Sequence, residues 1–303
     1  MKEICRICGH NNQSEAFYPD ILFNSKYFKY YKCNNCKSFN VYPTPNQEDF
    51  DLMYGENDHE YLKEIEGKLN YNFNYPYGDH QGFQIKFLKQ IASKLENKSL
   101  LDYGCGSGFY MKFAEKLGAH TIGIEFDSKF VKLLKEKTDL DLYTFNIFKE
   151  NFKDRKFDFI HIGHVFEHLD QPKDLLQELF KYAHKDTVFL IDGPLERNSC
   201  IARWYIDLGS KIKARKFKAF PPQHISFSTA KSQLLFFDNS GLEKEAYFVK
   251  EQFYPLPNHF TKSTIGNISH IIGHISILFS KLSPDLGNVF HYRGKLKNSS
   301  RNE

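Results

Sequence analysis

The chain has 303 residues, enough for one large domain or for a core domain carrying a small module. Hydrophobic residues at 41% and charged residues at 26% fit a globular protein, and no window reaches the roughly eighteen uninterrupted apolar residues of a membrane span. A formal net charge of +4 is mild; it predicts no nucleic-acid partner and leans slightly toward an anionic small ligand or surface.

The opening residues, Met1-Lys2-Glu3-Ile4-Cys5, contain no apolar leader region, so a cytoplasmic location with reduced thiols is expected. Four of the six cysteines form two pairs, Cys5-x-x-Cys8 and Cys33-x-x-Cys36. Two-residue spacing lets both thiolates of a pair reach one tetrahedral Zn²⁺ from a tight turn, and two such knuckles complete a four-sulfur site. The alternative is two disulfides, which a cytosolic location disfavours. A closed four-cysteine site has no open coordination position, so the expected role of the zinc is structural. His10, just after the first knuckle, is read as a bystander. The aromatic residues Phe17, Tyr18, Tyr27, Phe28, Tyr30 and Tyr31 give the gap between the pairs strand character, and residues 1–45 read as a zinc ribbon.

Pro43 and Pro45 end the ribbon in extended chain. Residues 46–98 read as a linker with N-terminal helices, rich in tyrosine (Tyr54, Tyr61, Tyr71, Tyr75, Tyr77); packing between module and core is the expected use of these rings. Phe83, Ile85, Phe87, Leu88, Ile91 and Leu95 follow a helical period over 82–95.

Leu100-Leu101-Asp102-Tyr103-Gly104-Cys105-Gly106-Ser107-Gly108 reads as a short strand breaking into a glycine loop, with a helix from Phe109 to Leu117 closed by Gly118. Thr121 to Asp127 is a second strand ending in acid. That acid stands about twenty residues past the loop, where a carboxylate can accept both ribose hydroxyls of an adenosine-containing ligand. Ser128 is the expected cap of the next helix. Further strands are expected at 141–145, 157–162, 187–191 and 246–250, with a helix after Gln171-Pro172. Alternating strand and helix is the signature of a parallel sheet covered on both faces.

The order Leu-Leu-Asp-Tyr-Gly-Cys-Gly-Ser-Gly, then Gly-Ile-Glu-Phe-Asp, then Asn146, then Phe-Asp-Phe-Ile-His-Ile-Gly-His-Val-Phe-Glu-His-Leu resembles the class I S-adenosylmethionine-dependent methyltransferases over about residues 80–250. The resemblance implies an α/β, doubly wound, Rossmann-like methyltransferase sheet over 99–303 and S-adenosylmethionine as cofactor. It places Asp102, Gly104 and Gly106 against the methionine portion, with Cys105, Gly108 and Gly163 also in the cofactor set. Glu125 would hold the ribose, Phe126 and Ile147 would flank the adenine, and Asn146 would meet its amino group. The family usually has Asp at that last position, and Asn can accept the same hydrogen bond through its carbonyl. The ribbon, the prolines and the tyrosine-rich segment also resemble bacterial methyltransferases of sugar, surface-polysaccharide and secondary-metabolite pathways. Some of these methylate carbon of a nucleotide-linked keto sugar, and they are usually longer, with an additional C-terminal domain. The implied acceptor is a small molecule, a sugar or nucleotide-linked sugar that can carry phosphate.

His164-x-x-Glu167-His168 falls just past the fourth strand, at the ligand-binding edge of such a sheet, and Pro221-Pro222-Gln223-His224 brings another histidine in a stiffened segment. Three readings stand: a histidine is a general base for an acceptor hydroxyl; His164, Glu167, His168 and His224 hold a divalent ion; or Glu-His fixes the loop by hydrogen bonds. The ion reading resembles metal-dependent small-RNA and ubiquinone-pathway O-methyltransferases, which have a carboxylate where this chain has His164. Lys211, Lys213, Arg215, Lys216 and Lys218 form a basic run, read as a solvated face or as a clamp for acceptor phosphate beside Trp204 and Tyr205. Cys200 reads as a lone buried thiol.

The isoleucine-rich stretch 264–282 reads as a helical insertion near 260–285, with a lid or packing helix as the default over a dimer surface or peripheral membrane contact. Asn288 to Leu296 resembles the last strand of the methyltransferase sheet. A contrasting reading makes the chain a binding module, in which ribbon and basic run recruit nucleic acid and the core only senses S-adenosylmethionine.

Overall fold

The computed structural model describes residues 4–16, 18–55, 71, 73, 80–213, 221–253, 256–282 and 286–297. Each Cys-x-x-Cys pair closes a backbone turn: Gly9 N–H donates to the Cys5 carbonyl at 2.8 Å and Lys37 N–H to that of Cys33 at 3.0 Å. Between the turns run β1 (Gln13–Glu15), β2 (Ile21–Phe23), β3 (Lys26–Cys33) and β4 (Phe39–Tyr42). Asn24 and Ser25, at φ 46° and 58°, form the two-residue hairpin that pairs β2 with β3. β1 and β4 pair with β3 as well, all antiparallel. Helices α1 (Gln47–Gly55) and α2 (His80–Lys89) follow. Tyr61, Tyr75 and Tyr77 lie outside the described residues, as does the Tyr54 side chain. Tyr71 OH donates to the Ser107 carbonyl at 2.9 Å and its ring packs against the apolar cluster that holds Cys105 and Met111, so this residue touches the glycine loop itself.

From residue 99 strand and helix alternate: β5 (Ser99–Tyr103), α3 (Phe109–Lys116), β6 (His120–Ile124), α4 (Ser128–Lys137), β7 (Leu142–Tyr143), α5 (Phe145–Asn151), β8 (Phe157–Gly163), α6 (Pro172–Phe180), β9 (Ala183–Pro194), α7 (Ile201–Lys213), β10 (Ser226–Phe227), α8 (Ala230–Asn239), β11 (Leu242–Lys250), α9 (Thr264–Ser280) and β12 (Val289–Leu296). The main sheet has the order β11-β12-β9-β8-β5-β6-β7. It is parallel except for β12, which runs antiparallel to both of its neighbours. Neighbouring residues point to opposite faces: Leu101, Ile160 and Ile191 join one buried cluster with Leu176, Leu179 and Phe237 of α6 and α8. Leu100, Phe159 and Leu190 join another with Leu88 of α2 and Phe113 of α3. Both faces are therefore covered by helices, as a doubly wound sheet requires.

Two local expectations change. The cap of α4 is Asp127, whose carboxylate accepts the Lys129 and Phe130 N–H groups, because a carboxylate one residue earlier reaches those donors better than the Ser128 hydroxyl inside the helix. The third core strand stops at Tyr143, where Thr144 begins α5 in an extended conformation. Asn146 thus sits in the first turn of a helix.

The ribbon does not stand apart from the core. Its sheet order is β1-β3-β4-β10, so its last strand comes from the segment after His224. Ala16, Phe28, Tyr30, Phe39 and Val41 of the ribbon share an apolar cluster with Ile225 and Phe227. Arg6 reaches from the first knuckle to Asp170, with Nε 2.8 Å from Oδ1.

Candidate active site

β5 and β8 are neighbours at the point where strand order reverses, and the crevice beyond their carboxyl ends is where open α/β sheets take ligands. On one side, Gly104, Gly106 and Gly108 all have positive φ, at 72°, 51° and 74°. A Cβ on Gly104 would come within 2.5 Å of Val165 and one on Gly108 within 2.2 Å of Leu140, whereas a Cβ on Gly106 would meet nothing within 4 Å among the described residues. The middle glycine therefore presents bare backbone to open space. Glu125, just past β6, accepts Gly106 N–H on Oε2 at 2.9 Å and Phe126 N–H on Oε1 at 2.7 Å. The Asp127 N–H bonds the same carboxylate, and since each oxygen can accept twice, one acceptor site remains after these three bonds. Burial lifts the Glu125 pKa above its ordinary value, and the backbone N–H groups oppose that rise.

Beyond Glu125 stand two large apolar side chains in water, Phe126 at 81% exposure and Ile147 at 48%; Asn146 is exposed beside them in sequence. Cys105 behaves otherwise. Its side chain is buried with Met111 and Leu142, burial pushes its pKa well up, and its N–H is used by the Ile124 carbonyl at 3.0 Å.

Beneath the crevice lies a buried polar relay that the motifs did not announce. His161 Nδ1 meets Asp102 Oδ1 at 2.6 Å and His161 Nε2 meets Asp192 Oδ2 at 2.8 Å, while the Tyr110 ring stacks on the imidazole with centroids 3.4 Å apart. Burial alone would strip the ring of its proton, but the two carboxylates outweigh burial and raise its pKa to about 9. An imidazolium donating from both nitrogens is the state these distances describe. Gln84 donates to Asp192 at 3.1 Å. Asp102 Oδ2 is buried and has no hydrogen-bond partner among the described residues.

On the other side of the crevice, the structure brings His164, Glu167, His168 and His224 together. His164 takes φ 53° directly after Gly163 and is held there by its N–H on the Asp192 carbonyl at 3.0 Å. Its Nδ1 is 3.4 Å from Glu167 Oε1 and its Nε2 is 3.7 Å from Asp192 Oδ1. Glu167 is buried, and burial would raise its pKa, but His164, His168 and His224 together lower it to about 2. His168 donates from Nδ1 to the Gln223 carbonyl at 2.9 Å, and its Nε2 stands 3.8 Å from Glu167 Oε1. Burial, despite Glu167, keeps the His168 pKa below that of an ordinary imidazole. His224 differs. Burial opposes its charge, yet Glu196 at 2.6 Å raises its pKa to about 9, so it is a cation at neutral pH.

His224 is set in place by the ribbon: Tyr30 OH donates to its carbonyl at 2.6 Å, the Tyr30 ring stacks on Phe227 at 4.4 Å, and Ile225 N–H donates to the Glu167 carbonyl at 2.8 Å. In the ribbon itself the four thiols are free and mutually within 4.8 Å. Cys5 and Cys36 are 3.7 Å apart and Cys8 and Cys33 3.6 Å. Four sulfurs around one Zn²⁺ at about 2.3 Å stand about 3.8 Å apart, so the donor set fits that ion. Ser38 and Asn40 place polar groups at 3.3 Å and 3.5 Å from the Cys5 sulfur, as thiolate ligands want. Of the basic run, the side chains of Lys211 and Lys213 and all of residues 215–218 lie outside the described residues.

The members that sequence reasoning missed are His161, Asp192, Gln84 and Glu196. His161 did leave a signal, since it occupies the face of β8 shared with Phe159, where an apolar residue is expected. Gln84 and Glu196 left none; no local pattern marks them.

A methyltransferase-domain family model matches residues 79–247, more than half of the chain. No curated protein matches it in sequence. Among solved structures, coclaurine N-methyltransferase bound to N-methylheliamine and SAH is similar at TM-score 0.51 and 14% identity, covering 82% of each chain. The [4+2]-cyclase SpnF is similar at TM-score 0.51 and 11% identity, covering 79% of this chain and 94% of its own. A Galdieria sulphuraria chain described as a sarcosine dimethylglycine methyltransferase is similar at TM-score 0.50 and 14% identity, covering 80% of this chain and 99% of its own. At these identities the three structures speak for the fold, and it is the family model together with the glycine loop, Glu125 and the sheet order that identifies the chain: it belongs to the class I S-adenosylmethionine-dependent methyltransferases.

Proposed function

We propose that the enzyme methylates a hydroxyl of a small polar acceptor, with His168 as general base, and that a structural zinc holds the ribbon that builds half of the acceptor side. The observation carrying this reading is the state of His168. Its Nδ1–H is committed to the Gln223 carbonyl and its pKa is depressed, so at neutral pH the ring is uncharged with its lone pair on Nε2. Bound S-adenosylmethionine supplies an electrophilic methyl group on sulfur. The fit of that cofactor rests on the bare backbone at Gly106, the remaining acceptor site on Glu125, the exposed faces of Phe126 and Ile147, and the orphaned Asp102 Oδ2, which suits an ammonium group.

As the acceptor oxygen takes the methyl group, its proton passes to His168 Nε2. The imidazolium so formed faces the Glu167 carboxylate at 3.8 Å, which lowers the cost of charging it. His164, strained at positive φ and tied to Asp192, fixes Glu167 from the other side. His224, already a cation paired with Glu196, orients acceptor oxygens by donating. Walls of imidazole and carboxylate suit a hydroxyl-rich acceptor, which supports a sugar or nucleotide-linked sugar as the class to try first.

A second reading has its own observation: Glu167, His168 and His224 each offer one ligand atom within 4.8 Å of the others. Methyl transfer from labelled S-adenosylmethionine into sugar and nucleotide-sugar acceptors tests the first reading. Turnover that resists EDTA and is lost in His168→Ala supports the base. Turnover restored only by a divalent ion moves the assignment to the second reading, and transfer unchanged in His168→Ala removes the base altogether. Metal analysis should find about one zinc per chain; four thiols without metal would refute the ribbon assignment.

A further inference from the structure

Helix α9 turns its polar side inward. Ser269, His270, Gly273, Ser276 and Ser280 are buried against the protein. These groups are satisfied there: Ser276 Oγ donates to Glu251 at 2.9 Å and accepts the Ala202 N–H at 3.0 Å, Ser269 Oγ meets Tyr205 OH at 3.2 Å, and His270 Nδ1 meets the Pro257 carbonyl at 3.1 Å. Gly273 is where Phe253 packs, since a Cβ there would come within 2.8 Å of the ring. The orientation is thus fixed by specific bonds and not by chance.

Ile265, Ile268, Ile271, Ile275, Leu278 and Leu282 recur every three or four residues and stand 36% to 79% exposed. At about 1.5 Å per residue they form an apolar stripe about 25 Å long. No helix among the described residues is long and apolar enough to cross a membrane, so whatever covers the stripe meets it side-on. Residues 252–284 contain no Asp or Glu, and lysines bracket the helix at 262 and 281. On the neighbouring helix α7, Trp204 is 60% exposed and the helix runs on to Lys211 and Lys213.

We propose that α9 is an interfacial helix that lays its isoleucine face on an anionic phospholipid surface. Apolar side chains without carboxylates, flanking lysines and an exposed tryptophan are what the headgroup boundary of such a surface accepts. A second copy of the chain is the weaker partner, because antiparallel pairing would set Lys262 against Lys281 of the other copy and parallel pairing would set each lysine against itself. In neither case does residues 252–284 supply a carboxylate to meet them.

Trp204, the only tryptophan in the chain, stands exposed on the helix that packs against α9, so its emission reads a contact that extends from α9 to α7. The full chain is mixed with phosphatidylcholine vesicles containing phosphatidylglycerol and, separately, with pure phosphatidylcholine. Co-sedimentation and a blue shift of Trp204 emission are expected with the anionic vesicles, both weakening as salt is raised. Ile268→Asp with Ile275→Asp should abolish both signals while leaving the thermal melt near that of the parent, since both side chains are exposed. Lys262→Glu, which leaves the apolar stripe intact, should cut anionic-vesicle affinity roughly tenfold or more. Absence of binding to anionic vesicles, or binding untouched by either change, overturns the proposal. So does a parent dimer in sedimentation velocity that the double aspartate variant dissociates.

Discussion

The two sides of the crevice are built by different means. The glycine-loop side is made within one βαβ unit: Gly106 and Glu125 are nineteen positions apart and joined by a single hydrogen bond at 2.9 Å. The histidine side is assembled from four distant stretches, with Glu167 and His168 after β8, Glu196 after β9, Gln223 and His224 before β10, and Tyr30 from the ribbon. The local side can bind one kind of ligand wherever the fold recurs. The assembled side can change its chemistry without disturbing the sheet.

If that division is real, changes on the histidine side should remove turnover and spare cofactor binding. The largest effect is expected from His168→Ala, with kcat down by about 10²–10⁴-fold and the calorimetric affinity for S-adenosylhomocysteine unchanged. A parallel loss of affinity would break the comparison. The pH dependence follows from the two histidine states. Activity should fall on the acid side only below the pH where an ordinary imidazole titrates, and on the alkaline side as His224 loses its proton near pH 9.

Zinc removal comes next, and it is the sharper test because it acts from outside the core. If the four cysteines hold zinc as proposed, Cys33→Ser or chelation takes away the knuckle at the end of β3. β4 then loses its frame, and β10 with it, so Gln223 and His224 lose the contacts that place them. Turnover should drop by more than about tenfold with a lower melting temperature, while S-adenosylhomocysteine still binds. Full activity in metal-free protein would show that the ribbon plays no part in the acceptor side.

Glu125→Ala reverses the pattern. Three backbone N–H groups lose a shared carboxylate, and if that carboxylate also holds the ribose, cofactor affinity should fall ten- to hundredfold, about 1.5–3 kcal/mol, with the histidine cluster's pH behaviour unaltered.

The difference between the sides also explains what could be read from the residues in order. The sheet was legible because period-2 apolar runs and glycine turns are local, and the glycine loop, Glu125 and the cysteine knuckles are local too. Leu242–Lys250 and Val289–Leu296 pair across the α9 insertion; of the first only 246–250 was legible from its residues, and the second was expected from the resemblance to the family's last strand. His164, Glu167 and His168 stood out because they are close in sequence, and His224 because two prolines precede it. Their protonation was not legible: it depends on Glu196 for His224 and on the Gln223 carbonyl for His168, and neither partner carries a pattern. Nor did two cysteine knuckles reveal that the ribbon's fifth strand is lent by the core, because Ser226–Phe227 is only two residues long.

The relay beneath the crevice should bind the two sides through stability and not through chemistry. His161 has a folded pKa of about 9 against roughly 6.5 for an unfolded imidazole, so its contribution is full below the lower value and lost as pH rises through the upper one. The melting temperature should fall by at least about 3 °C across that window, and His161→Gln should flatten the slope. An unchanged slope would mean that the ring is neutral between Asp102 and Asp192.

The smallest effect is expected at Phe126. Its ring is 81% exposed, so Phe126→Ala removes almost no packing and the melting curve should not move. If the ring instead covers adenine, the same change costs cofactor affinity about 1 kcal/mol, the worth of one stacked aromatic pair beyond its buried area. Stability and binding therefore part company at this residue, as they do not at Glu125, which also ties Gly106 and Phe126 to β6. Equal affinity in parent and variant would leave Phe126 as an ordinary surface ring and would move the adenine contact to Ile147 alone, where Ile147→Asp becomes the decisive measurement.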